Sequence, residues 1–105
     1  MVSVTFFGNR EDFFTGFSVV GHAGMAKYGK DIVCAAISSV TYMVVNTLTD
    51  VVGVVPEKME ISSGRVCVTI GGRDFFRCKD LLLGFRLHIL ELSKQYPGYV
   101  CVDFK

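Results

Sequence analysis

Two residues in this chain are of the right types to do chemistry together. His22 and Cys34 lie on either side of a segment rich in glycine and small residues, within Gly21-His22-Ala23-Gly24-Met25-Ala26-Lys27-Tyr28-Gly29-Lys30-Asp31-Ile32-Val33-Cys34-Ala35-Ala36. A thiolate is a strong nucleophile, and an imidazole within ~2.6–3.2 Å can take the thiol proton and return it to a leaving amine. Asp31 has the right type and place to be the N-cap of a helix, its carboxylate accepting from the N–H groups of Val33 or Cys34. Cys34 then falls in the first helical turn, where unpaired N–H groups and the positive end of the helix dipole favour negative charge. The charge of Asp31 partly offsets that effect. The same N–H groups are candidates to hold a developing oxyanion. Asp31 is also the nearest group that could orient His22, but capping competes with that role, so a dyad is expected rather than a triad. Against this stands a plainer reading: a lone cysteine on a helix is commonly a small buried hydrophobe, and a histidine between glycines a turn residue.

The elements that must position this pair follow from periodicity. Val2 to Phe7 alternates as a strand, Gly8 to Asp12 is a turn, and Phe13 to Val20 reads as a second strand. His22 closes that strand, and the glycine segment is a loop leading to the helix. From Asp31 onward, Val33, Ile37, Val40, Val44, Leu48 and Val51 recur at helical spacing up to the stop at Gly53 and Pro56. Cys34 is off this stripe and lines up with Ser38 and Thr41, facing a cleft, with the small Ala35 and Ala36 beside it. Lys58–Ser62 and Arg65–Ile70 flank the hairpin signal Ser63-Gly64. Arg77–Tyr96 is a second helix with Leu82, Phe85, Ile89, Leu92 and Tyr96 on one face, stopped by Pro97-Gly98, and Tyr99–Phe104 is a last strand. The order β-β-α-β-β-α-β predicts an α+β two-layer sandwich with both helices on one face of a largely antiparallel sheet. The opposite face, carrying Phe7, Cys67 and Tyr99, is expected to be partly bare and to favour a homodimer.

Composition narrows the function classes. The chain has 105 residues, half of them hydrophobic, which suits a single domain spanning residues 1–105 with one packed core. Eleven basic residues face ten acidic ones without a basic run, so direct nucleic-acid binding is not expected. Met1–Phe7 is too short and uncharged for a signal segment, and the apolar stretch after Asp31 is interrupted by Ser38, Ser39, Thr41, Asn46, Thr47 and Asp50, so it reads as a core helix with no membrane association. The expectation is a cytoplasmic protein whose four cysteines are free thiols. With no CxxC spacing and two histidines, neither a metal site nor a cofactor is expected. Cys67, Cys78 and Cys101 read as structural, His88 as a packed or interface histidine, and Arg73, Arg77 and Arg86 as a solvated face.

The stretch GHAGMAKYGKDIVCAAISSV resembles the signature of the ribosomal-processing cysteine protease (Prp) family at Gly21, His22, Ala23, Gly24, Gly29, Asp31, Ile32, Val33, Cys34, Ala35, Ala36 and Ser38. Leu81-Leu82-Leu83-Gly84 and Gln95-Tyr96-Pro97 also look like that family's second helix, so the resemblance spans nearly the whole chain. Met25 departs from it, standing where the pattern has an aromatic residue. The resemblance implies an α+β homodimer and a Cys–His protease with His22 and Cys34 at the catalytic positions. It implies a peptide substrate, a precursor of large-subunit ribosomal protein number twenty-seven whose short N-terminal extension ends in an apolar, aromatic-rich sequence. On that reading Met25 and Tyr28 line the cleft, and the loop comprising Ala23, Gly24, Met25, Tyr28 and Gly29, entered from Gly21, is a candidate lid that orders on substrate. Two rivals predict otherwise. A non-catalytic ribosome-assembly binding module would need a basic surface, and a thiol redox sensor would need a resolving cysteine near Cys34.

Overall fold

The computed structural model describes residues 1–8, 12–21 and 31–105. Strand β1 (Val2–Phe7) pairs antiparallel with β2 (Gly16–Val20), and β2 with β4 (Arg65–Thr69), which pairs in turn with β3 (Lys58–Ser62). Strand β5 (Val100–Phe104) adds in parallel to the other side of β1, giving the order β3-β4-β2-β1-β5. Helices α1 (Ile32–Asn46) and α2 (Phe75–Gln95) both pack on one face, the α+β two-layer sandwich that the sequence predicts.

Register explains which residues are covered. Val4 pairs with Val19 and Phe6 with Phe17, and these pairs continue into Val66 and Val68 of β4, so one face carries a continuous apolar surface. Val33, Ile37, Val44 and Leu48 from the first helical segment and Leu82, Phe85 and Ile89 from the second close over it. Each such side chain contributes about 1.5–3 kcal/mol by leaving water. Phe85 is the hinge of the aromatic core, with its ring 5.8 Å from Phe6 and 4.9 Å from Phe17.

Several boundaries differ from the periodicity reading, three of them by more than one residue or in helix type. The second strand begins at Gly16 rather than Phe13. A strand through both would put Phe14 and Phe17 on opposite faces, yet both rings are buried in the core, with Phe14 packed edge-on to Phe6 at 5.0 Å. The first helix changes to a π-helix at Thr47–Val52. Its wider turn shifts the phase, so Val51 is 78% exposed while Val52 packs on the core. Thr41 and Val45 are buried where Val40 was expected to be, Val40 being half-buried. The second helix starts at Phe75, after a 3-10 turn at Gly72–Asp74, and is kinked at Cys78 (φ −127°, ψ 17°) near the expected start at Arg77.

The run Ile32–Val52 has a mean hydropathy of 1.6 and is long and apolar enough to cross a membrane. Its buried stripe is packed on the sheet, which is the place of a core helix. On the uncovered face Phe7 is exposed, but two residues depart from the expectation of a bare face: Tyr99 precedes β5 and packs half-buried against the core, and Cys67 is 8% exposed. Its cross-strand neighbour Glu60 and its same-face neighbour Arg65 are long side chains joined at 3.8 Å, and they flank it. Arg86 is half-buried rather than part of a solvated face.

Candidate active site

Asp31 precedes α1 in an extended conformation (φ −78°, ψ 104°), and its side chain is turned onto the helix start. Its Oδ1 accepts the N–H of Val33 at 3.0 Å and that of Cys34 at 2.9 Å. The carbonyl of Asp31 accepts the N–H of Ala35 at 3.0 Å. Asp31 is therefore the N-cap, and it is buried. The cap also narrows a feature that the sequence suggested. The amides of Val33, Cys34 and Ala35 are all engaged, so these helix-end N–H groups are not open to hold an oxyanion.

Cys34 is half-buried and opens into a cavity of about 330 Å³. One wall is α1, where Cys34, Ser38, Thr41 and Tyr42 succeed one another along one side, as helical spacing predicts. Val19 and Gly21 at the end of β2 form the floor, and the β3–β4 turn from Ser62 to Val66 forms the opposite wall. Gly21 is tied to that turn by its N–H, which donates to the Gly64 carbonyl at 2.8 Å. The turn itself needs Gly64 at φ 75°. At Gly21 the constraint is stricter. Its φ is +96°, a region side-chain-bearing residues rarely adopt, and a Cβ there would lie 2.7 Å from the Met1 carbonyl oxygen. A glycine is thus required at the strand end that leads to His22.

Of the residues singled out from sequence, the structure brings Gly21, Asp31, Cys34 and Ser38 to one place. His22, Ala23, Gly24, Met25, Tyr28 and Gly29 lie outside the described residues. Sequence reasoning missed the wall formed by Ser62, Ser63 and Arg65. Their hairpin was legible in Ser63-Gly64, but its meeting with α1 depends on β4 pairing with β2, a long-range contact. The other thiols do not line this cavity. Cys67 and Cys78 are buried, and Cys101 is half-buried on β5, the edge of the sheet away from the β3–β4 hairpin. Burial raises the Cys78 thiol pKa, the nearby Asp74 carboxylate adding to the rise and Arg77 opposing it. Among the described residues no group of three or more histidine, cysteine or acidic side chains gathers to hold a metal ion.

The family model of cysteine protease Prp matches residues 1–101. The chain belongs to the cysteine protease Prp family. Among solved structures, the Prp family's essential ribosomal processing protease from S. aureus, in complex with a covalently linked product peptide, superposes with a TM-score of 0.90 at 22% identity over 100% of both chains. The same S. aureus protease in complex with a substrate peptide superposes with a TM-score of 0.84 at 21% identity, again over 100% of both chains. SMU.848 from Streptococcus mutans is 28% identical, with a TM-score of 0.79 over 99% of this chain and 93% of that one. No curated protein sequence matches the chain. Membership of the Prp family makes this chain a cysteine protease, and likeness to the solved structures shows that its fold is theirs.

Proposed function

We propose that Cys34 is the nucleophile and His22 the general base of this protease, and that it removes the N-terminal extension from the precursor of large-subunit ribosomal protein number twenty-seven. The observation that carries the site is the shared cavity: Gly21, the residue bonded to His22, and Cys34 both line it. In the first step the imidazole takes the thiol proton and the sulfur attacks the scissile carbonyl carbon. The C–N bond then breaks, the departing amine receives that proton, and a thioester remains on Cys34. Water, deprotonated by the imidazole, attacks the thioester and regenerates the thiol. Because Asp31 occupies the amides of Val33 and Cys34, it acts as the cap that fixes Cys34. The oxyanion falls to other donors on the cavity wall, where Ser38, Ser62 and Ser63 supply hydroxyls.

The surroundings favour an apolar, extended peptide. Tyr42 on the cavity wall is 41% exposed. Ile61, opposite the cavity-lining Val66, and Met59, opposite Val68, lie on the helix side of edge strand β3 and are about half exposed. The free edge of β3 offers backbone groups to a peptide strand running past Cys34. These features match an extension ending in apolar and aromatic residues. The S. aureus relatives with bound substrate and product peptides support the reading. A cytoplasmic homodimer acting on this protein substrate, with the 23–30 loop as its lid, completes the proposal.

A redox-sensor role is disfavoured by the cavity, since none of Cys67, Cys78 and Cys101 lines it with Cys34. The test of substrate is incubation with the extended precursor beside the same ribosomal protein without its extension. One new N-terminus near the start of the precursor, and no change in the short form, is expected. Equal cutting of both, or of neither, overturns the assignment.

A further inference from the structure

We infer that β3 reads the part of the substrate ahead of the scissile bond as an added strand, and that Met59 and Ile61 select apolar residues at every second position of it. The inference rests on the protease reading above and names the residues that set its specificity. Strand β3 is the outermost of the sheet, and among the described residues nothing pairs with its free edge. All five of its residues are exposed. Natural sheets blunt such an edge with a proline, a bulge or an inward-pointing charge. Here the five pairs with β4 run without a bulge, and no proline stands between Lys58 and Ser62. The helix side of the strand carries Met59 and Ile61, 49% and 46% exposed. An edge left open in this way suits a strand from outside. Ser62, the last residue of β3, lines the cavity into which Cys34 opens, so the edge leads to Cys34.

The backbone fixes which residues do the reading. Antiparallel pairs alternate between those that exchange hydrogen bonds and those that do not. The two-residue turn Ser63-Gly64 closes on Ser62 and Arg65 as a bonded pair, which makes Glu60 and Cys67 a bonded pair as well. The N–H and C=O groups of Met59 and Ile61 therefore point to the free edge. Their side chains lie on the helix side, Ile61 opposite the cavity residue Val66 and Met59 opposite Val68. A strand bonded to these two residues keeps a period of two. Alternate side chains meet Ile61 and Met59, and those between face Lys58 and Glu60 in water. A slip of one residue exchanges the two sets. The extension precedes the scissile bond and β3 runs toward the cavity, so the added strand runs in the same direction as β3. The five residues of β3 set the length read at about five residues of the extension. The substrate class is thus an extended segment in which apolar and polar residues alternate.

The test is steady-state cleavage, by the full chain, of synthetic peptides that carry the cleavage site of the extended precursor. One peptide has apolar residues at every second position before the site. Another has the same composition with those residues moved by one position. The first should be cut with a kcat/KM at least ~10-fold higher. N-methylation of single backbone amides in the first peptide should show the same period, alternate amides costing ~10-fold in KM and those between less than ~2-fold. Met59→Pro removes an outward N–H and leaves the bonds to β4 whole. It should keep the melting temperature and raise KM ~10-fold at nearly constant kcat. Equal cutting of the two peptides, or a loss spread evenly over the methylated positions, overturns this inference and leaves the protease reading standing. An early-melting Met59→Pro places that N–H in the ladder and overturns the register. A Met59→Pro that alters sedimentation and not KM assigns the edge to another chain and overturns the inference as well. Failure to cut any peptide or the precursor itself overturns the protease reading, and this inference with it.

Discussion

The carboxylate of Asp31 holds the backbone N–H of Cys34 at 2.9 Å with the same oxygen that holds Val33. This bond fixes the start of α1, and with it the place of the thiol over the cavity. It also engages the amides of Val33 and Cys34. Cys34, the proposed nucleophile, is thereby positioned by a cap.

The cap separates stability from charge. Asp31→Ala should cost roughly 1 kcal/mol, within the ~0.5–2 range of lost N-caps, and should lower activity by freeing the helix start. Asp31→Asn keeps an acceptor at the same place and should be close to wild type in urea midpoint. Equal midpoints for Asp31→Ala and wild type would show that the cap does not hold the helix.

Gly21→Ala should be strained twice, by its positive φ and by contact with the Met1 carbonyl. A loss on the order of 1–3 kcal/mol in unfolding free energy is expected. Cleavage should fall as well, because Gly21 is a cavity residue bonded to His22. An unchanged melting temperature would refute the backbone argument.

Cys78 sets a pH dependence of stability. Its folded pKa lies above the unfolded value, mainly because burial disfavours the thiolate. The contribution is therefore complete below the ordinary thiol pKa of about 8.5 and is lost as pH rises through the folded pKa. Comparing wild type with Cys78→Ala cancels the other groups that titrate there. The stability advantage of wild type at pH 7 should shrink by pH 10, measured by urea unfolding, and a constant advantage contradicts the assignment.

Ile61 tests the apolar shelf beside the cavity. It is about half exposed on an edge strand, so Ile61→Asn should change stability by less than about 1 kcal/mol. On the proposed substrate it should raise KM several-fold and leave kcat nearly unchanged, the sign of lost ground-state binding. Loss of kcat alone would place Ile61 elsewhere in the mechanism.

Local chemistry in the sequence carried the site further than periodicity carried the fold. Asp31 at the cap, Cys34 in the first turn and Ser38 four residues on follow from helix geometry alone, and all three stand as expected. The phase beyond Thr47 did not follow, because a π-helix has no distinct sequence pattern and moves Val51 outward. Phe13 and Phe14 read as strand because aromatic residues favour strands, yet packing of Phe14 on Phe6 breaks the alternation. The hairpin wall was hidden for a third reason: its place depends on the β2–β4 register, which no local pattern encodes.

The most direct test of the account is intact-mass analysis of the extended precursor after incubation with wild type and with Cys34→Ala, both first shown to melt alike. Wild type should release a single N-terminal fragment, and Cys34→Ala should be at least about a thousand-fold slower. Cleavage by Cys34→Ala at the same site and a comparable rate would contradict the assignment of Cys34 as the nucleophile.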